Sequence, residues 1–421
     1  MVSTTRAFVF RLRPTAKQQV LLRAMLNDHR HLYNAALQER RDAWDTRTKR
    51  GITDPKDQFG KIGFAIQSAQ LPAIRASDPD QARWSATGQQ QTLRKLNKSF
   101  AGFYRRCREG QTPGYPRFKP EKRWDSVEFR DGDGARWDSV PTGRDDSRRV
   151  YLQGVGHIKT STHRPIRGTV ATIRVKRQGD HRAHTRWVVI VTCNNVPLKV
   201  LPRTSRVIGI DMATGDNGLA YTSHGDRIDN LQPHKHAAQR LTRLQQQRSK
   251  TRRGSMPYRD LTRQLARAHA KIARQRYDHH HQVAARLVAS YDIICIEGLP
   301  VASMTRRAKA KPDPDAPGAF LPNGARAKAG LNRSILDAGW GQFIAILKDK
   351  AACAGRQVIV VNPAYTSQTC VQCQRTDPAS RSGKVFYCTG CGHYDDADIN
   401  AAQTILCVGT GLVPEQPTRA A

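Results

Sequence analysis

Three kinds of hydrophobic pattern follow one another along the chain. Residues 6–12, RAFVFRL, alternate apolar and polar positions as a half-buried strand does. Pro14-Thr15 then opens an amphipathic helix. Thr15 and Gln18 stand at capping-box spacing, and Leu22, Met25, Leu26, His29, Leu32, Tyr33 and Leu37 recur at helical period. A second helix is predicted from about 86 to 109. Leu93, Leu96, Phe100 and Phe103 share one face of it, with Arg94, Lys95, Lys98, Arg105 and Arg106 around the rest. From GYPRFKP (114–120) to about 200 the period drops to two, in short runs such as SVEFR, RVYL, TIRVKR and RWVVIVTC separated by Gly, Asp and Pro. The last two runs predict a hairpin around QGDHRAHT. The whole stretch predicts a small β-barrel or sheet that recruits the first strand as a partner.

From Ser205 the runs become continuously apolar: RVIGID, YDIICIE and QVIVV alternate with helical tracts. That is the pattern of a mixed α/β sheet covered on both faces. Residues 304–330 hold four prolines and three glycines and read as a mobile loop, and the tail after 408 reads as disordered.

Charge changes the picture most. The 421 residues, enough for two or three domains, carry 70 Lys and Arg against 35 Asp and Glu, a net charge of +35. Such an excess predicts a polyanionic partner, and nucleic acid fits better than a membrane, because no apolar run is long enough to span one. The opening MVSTTRAFVFRLRP does not read as a secretory signal. Nine cysteines, mostly scattered, suit a reducing cytosol better than a disulfide framework. Between Lys235 and Arg276 there are 13 Lys or Arg and one acid, Asp260, while Leu261, Leu265, Ala268 and Ile272 keep one apolar stripe. This predicts a helix, or two broken near RRGSMP, with a buried seam and a single-sign face for phosphates. Arg243, Arg248, Lys250, Arg252, Arg253, Arg263, Arg267 and Lys271 are its candidate nucleic-acid contacts.

Two constellations carry candidate chemistry. Cys370-x2-Cys373 and Cys388-x2-Cys391 can present four thiolates to one structural zinc, as in a zinc ribbon, and so small a ribbon would draw its folding energy from the metal. RVIGID and YDIICIE each end an apolar run with an acid, Asp211 and Glu297, and Asp398 opens DINAAQTIL. An ionised carboxylate at a buried strand end is costly unless a cation compensates it. Three such acids resemble the carboxylate set of an RNase H-like nuclease, which holds two magnesium ions. Asp395 and Asp396 read instead as helix-start residues.

From FRLRPTAKQQVLL and LYNAAL through GYPRFK, IGID, IEGLPVASM, SILDAGWGQF, YTSQTCVQC…CTGCG and DADINAA, the chain resembles the TnpB family of transposon-encoded RNA-guided nucleases and the compact type V CRISPR effectors. The resemblance implies a multidomain α/β fold: a RuvC nuclease domain at 205–366 and 394–408 with a zinc ribbon inserted at 367–393. It also implies a β-barrel wedge domain at 1–12 and 116–204, a helical recognition domain at 13–115, and a disordered tail at 409–421. Asp211, Glu297 and Asp398 become the magnesium-binding catalytic acids. Guide RNA and target double-stranded DNA become the partners, in a prokaryotic, nucleoid-associated setting. One departure stands out: where the family has a short glycine turn after the first acid, this chain runs DMATGDNGLAY with a second acid, Asp216. A nuclease-inactive guided regulator and a guide-independent transposase or resolvase share the charge and the ribbon; the three acids disfavour the regulator.

Overall fold

The computed structural model describes residues 3–54, 60–138, 148–179, 185–214, 218–316 and 318–411. Asp216, the loop 180–184 of the expected hairpin and the tail from 412 lie outside them. The chain divides into two compact units, Met1–Pro197 and Leu198–Ala421. Among the described residues no helix is long and apolar enough to cross a membrane.

In the first unit, β1 (Ser3–Arg13) leads into α1 (Ala16–Lys49). The Thr15 hydroxyl accepts from the Gln18 amide, and the Gln18 side chain accepts from the Thr15 amide, which is the capping box read from the sequence. Short helices α2 (Phe64–Ala69), α3 (Leu71–Ser77) and α4 (Pro79–Ala82) precede α5 (Ala86–Arg108). Strands β2 (Ser126–Asp131), β3 (Gly134–Asp138), β4 (Arg149–Leu152), β5 (Gly156–Ser161), β6 (Thr169–Gln178) and β7 (Arg186–Pro197) follow. With β1 they close a barrel in the order β1-β5-β4-β3-β2-β6-β7. β1 closes it by pairing antiparallel with both β5 and β7, and its alternation sends Phe8, Phe10 and Leu12 inward while Val9 stays exposed. The apolar stripes of α1 and α5 join the same core, led by Leu22, Met25, Tyr33, Leu93 and Leu96.

The second unit begins with β8 (Val207–Met212), β9 (Gly218–Thr222) and β10 (Arg227–Asp229). The basic tract forms two helices, α6 (Pro233–Ser249) and α7 (Met256–Ser290), broken at the predicted place. Leu241 and Leu244 bury against Leu265 and Ile272 with Leu261 and Ala268 beside them, so the stripe is a helix–helix seam. β11 (Ile293–Glu297) and α8 (Val301–Met304) come next. Within 304–330, read as a loop, β12 (Lys311–Pro312) pairs with β13 (Phe320–Leu321). Asn332 ties the start of that stretch by donating to the carbonyls of Thr305 and Arg306, each at 3.0 Å. α9 (Ala325–Ala338), α10 (Trp340–Ala354) and β14 (Gln357–Val361) lead to the small strands β15 (Arg381–Ser382), β16 (Val385–Tyr387) and β17 (Tyr394–Asp396). α11 (Ala397–Thr410) is the last described element, capped by Gly411, so Gly409 and Thr410, expected in the tail, are helical. The reason is packing: Gly409 lies so close to β11 that a Cβ there would meet the Cys295 sulfur at 2.4 Å.

The main sheet runs β10-β9-β8-β11-β14, antiparallel at β10-β9-β8 and parallel across β8-β11-β14. Side chains alternate between its faces. Ile208, Ile210, Ile294 and Ile296 pack on α7 and α10 through Val283, Leu287, Phe343 and Leu347. The opposite parity, Gly209 and Cys295, faces α11. A Cβ on Gly209 would strike the Ala402 carbonyl at 2.1 Å, so only glycine lets α11 lie this close to β8. The same parity carries Asp211 and Glu297 to the α11 side.

Candidate active site and metal centre

Ile210 and Ile296 are register partners on adjacent parallel strands, so Asp211 and Glu297 follow side by side at the carboxyl ends of β8 and β11. Asp398 stands in the first turn of α11, whose N-cap is Asp396: its carboxylate accepts from the amides of Asp398 at 2.8 Å and Ile399 at 3.2 Å. Asp396 thus takes the helix-start role expected of it, while Asp395 lies in β17 opposite Phe386, and the cap uses none of the Asp398 side chain.

Asp211 feels both of the other acids. Burial, then the charges of Glu297 and Asp398, push the Asp211 carboxyl up to about 8. Burial also raises Glu297, against the Thr366 hydroxyl, which donates to its Oε1, and the nearby Arg381. Two cations from the segment between the cysteine knuckles answer this charge. The Arg381 guanidinium donates to Asp398 Oδ1 at 2.9 Å, and the Lys384 ammonium contacts Oδ2. Lys384 also lies over the Tyr221 ring of β9, 4.7 Å from its centroid. Desolvation disfavours its charge, yet Asp398 and the Tyr221 hydroxyl outweigh that and raise its pKa. Arg381, Lys384 and Thr366 were not singled out from the sequence; RSGK between two CxxC knuckles was the available signal for the first two. The chemistry of the donors suits magnesium: carboxylate oxygens are hard ligands, and burial makes the charges of Asp211 and Glu297 costly without a compensating cation.

The four cysteines also meet. Their sulfurs all lie within 4.8 Å of one another, with Cys370 to Cys391 at 3.7 Å and Cys373 to Cys388 at 3.5 Å. Tetrahedral zinc at about 2.3 Å from each sulfur requires sulfurs about 3.8 Å apart, so the donors fit that ion. Burial pushes the Cys370 thiol up to about 12. Burial also opposes the Cys388 thiolate, but the amides of Cys391 and Gly390 prevail and hold it at about 7, favouring the form that binds metal. Among the described residues, Phe386 and Ala397 join Cys370, Cys388 and the partly buried Cys373 in the ribbon core, and Cys391 is exposed. Asn400 of α11 docks the first knuckle, accepting from the Val371 amide at 3.1 Å and donating to the Thr369 carbonyl at 2.9 Å.

Of the eight candidate nucleic-acid contacts, Arg243, Lys250, Arg252, Arg253, Arg267 and Lys271 are exposed on the α6–α7 hairpin. The other two are engaged internally: Arg263 pairs with Asp260, and Arg248 lies 5.8 Å from the Tyr258 ring centre.

A sequence model of the IS605 OrfB family, described as a probable transposase, matches residues 189–308, and a Cas12f1-like TNB domain model matches 340–405. An IS605 OrfB helix-turn-helix model matches 1–49, of which 3–49 hold β1 and the single helix α1. Over 414 residues the chain is 29% identical to "Putative RNA-guided DNA endonuclease InsQ" of Escherichia coli (strain K12), covering 97% of this chain and 93% of that protein. Over 57 residues, 13% of this chain and 14% of the relative, it is 46% identical to "CRISPR-associated endodeoxyribonuclease Cas12f1" of Sulfoacidibacillus thermotolerans. In fold it matches Cas12f1 from a cryo-EM complex with sgRNA and target DNA, with TM-score 0.53 and 13% identity over 96% of this chain and 98% of that one. With matches at its start, middle and end, the chain is similar to the IS605 OrfB (TnpB) proteins, and its multidomain α/β fold is that of Cas12f1.

Proposed function

We propose that this protein is an RNA-guided DNA endonuclease that hydrolyses phosphodiester bonds with magnesium held by Asp211, Glu297 and Asp398. The observation that carries this reading is the meeting of three acids, far apart in sequence, at the carboxyl ends of two parallel strands and the start of α11. The kinship with InsQ, so named, and the net charge of +35 support the nucleic-acid partners. Bound magnesium would supply Lewis-acid polarisation of the phosphate and activation of the attacking water. The chain's own part is positional. Asp211 and Glu297 are fixed by strand register, Asp398 by its capped helix, and Thr366 orients Glu297. Arg381 lowers the repulsion among the acids, and its fork geometry suits a phosphate oxygen.

In this reading the guide RNA pairs with one DNA strand while the protein holds the heteroduplex shape and a short flanking motif. The exposed cations of α6 and α7 grip phosphates, so affinity falls steeply with salt. The barrel acts as the wedge, α1 to α5 as the recognition domain, and the ribbon, folded around zinc, as the segment that brings Arg381 and Lys384 to the acids. The protein would work in the prokaryotic cytoplasm at the nucleoid. Expressing the chain with its native flanking DNA and sequencing the RNA that copurifies tests the guided part. A defined RNA ending in a short variable segment supports it; heterogeneous RNA or none removes it.

A further inference from the structure

Tyr365 joins three features. Its backbone is left-handed, with φ at +66°, a conformation costly for a bulky side chain. Its side chain is 67% exposed, so burial of the ring does not compensate that strain. And its neighbour Thr366 donates a hydrogen bond to Glu297, which anchors the Tyr365 backbone about one Cα step, roughly 3.8 Å, from a residue touching a site carboxylate. The turn itself is firmly made. The Tyr365 carbonyl accepts from the amides of Gln368 at 2.9 Å and Thr369 at 3.0 Å, and from the Thr369 hydroxyl at 2.9 Å. Glycine would satisfy the same turn without strain. An aromatic kept exposed in a strained turn beside an active site fits the general observation that such strain collects where function needs it.

We infer that Tyr365 is a positioning residue: its ring stacks on a base of the DNA strand next to the scissile phosphate and holds that phosphate at the acids. This rests on the nuclease reading and adds the residue that meets the base. Stacking is the chemistry that recognises an unpaired nucleotide of any sequence, because every base offers a π-face. A guided nuclease, whose sequence reading lies in the RNA, needs that tolerance at the cut.

The test uses the RNA-loaded protein as wild type, Tyr365→Gly and Tyr365→Phe, with target DNA carrying the fluorescent base 2-aminopurine at each position flanking the cut. Tyr365→Gly is expected to melt at or above the wild-type temperature, since it relieves the backbone, yet to slow single-turnover cleavage about tenfold. Quenching of 2-aminopurine at one flanking position should be present in wild type and Tyr365→Phe and lost in Tyr365→Gly, with guided binding unchanged. Cleavage at the wild-type rate by Tyr365→Gly, with quenching intact, would reduce Tyr365 to a turn residue and overturn the inference. If the wild type binds its target without cutting, the nuclease reading fails. The quenching comparison then still decides whether Tyr365 meets a base.

Discussion

The ribbon and the sheet end lie within one unit and solve opposite problems with the same kind of means. In the ribbon, four thiol sulfurs converge around a core of little more than Phe386 and Ala397. In the sheet, three carboxylates converge on a core that already includes Ile208, Ile210, Ile294, Ile296, Phe343 and Leu347. A metal at the first would replace a missing hydrophobic core; at the second it would do chemistry on a scaffold that stands without it. The difference shows in the ligands. The thiols come from two short knuckles, each folded on itself, whereas the acids come from positions 211, 297 and 398 and need the whole sheet to meet.

Several substitutions would break or sharpen this contrast. The largest effect is expected from Asp211→Ala or Asp398→Ala: cleavage should fall by more than the about 10–100-fold that a ligand's outer partner is worth, with zinc content little changed. Cys388→Ser should act on the other centre. Zinc, measured by metal analysis at one per chain in wild type, should be lost, and the ribbon should unfold, because structural zinc supplies about 10–16 kcal/mol of apparent binding energy in small domains. The sheet should keep its own cooperative melt. Loss of both melts together would mean that the ribbon is part of the sheet's core.

The acids also predict a pH signature in metal-free protein. Asp211 keeps its proton up to about 8 when folded, against an ordinary 3.8, because burial and its acidic neighbours oppose the charge. Between those values the folded state binds a proton that the unfolded state has released, so stability falls as pH rises. Melting temperature should therefore drop more from pH 5 to pH 8 in wild type than in Asp211→Asn, and added magnesium should restore it in wild type alone. Equal drops in both proteins would sink this electrostatic account. The smallest effect is expected from Thr366→Val, which removes one donor to Glu297 and should slow cleavage about tenfold while leaving the fold intact. A rate within twofold of wild type would show that Glu297 needs no such anchor.

What the sequence disclosed follows from the same contrast. The knuckles, the Thr15 capping box and the Leu261-Leu265-Ala268-Ile272 stripe depend on nearby residues, and each appears where the spacing put it. Asp211 and Glu297 were legible because both end apolar runs, and parallel pairing converts that shared position into proximity. Thr366 was not legible, since nothing local marks a hydroxyl that acts across 69 residues, and Arg381 and Lys384, 17 and 14 residues from Asp398, had only RSGK between the knuckles to mark them. The helical course through Gly409 to Thr410 was missed for a related reason: the close approach to Cys295 leaves no room for a side chain, so a glycine that reads as a helix terminator stands inside α11. The pairing of Lys311–Pro312 with Phe320–Leu321 lay hidden in a stretch whose prolines and charges read as loop.

The central claim is that Asp211, Glu297 and Asp398 cut DNA chosen by a bound RNA. Its most direct test incubates wild-type and Asp398→Ala protein, each with its copurified RNA, with a magnesium-containing solution of plasmid bearing the matching site, and scores binding and cutting in the same samples. The wild type should cut only with RNA present, and Asp398→Ala should bind the same site equally well and leave it whole. Cutting by Asp398→Ala at the wild-type rate, or wild-type cutting that is indifferent to RNA, would contradict the account.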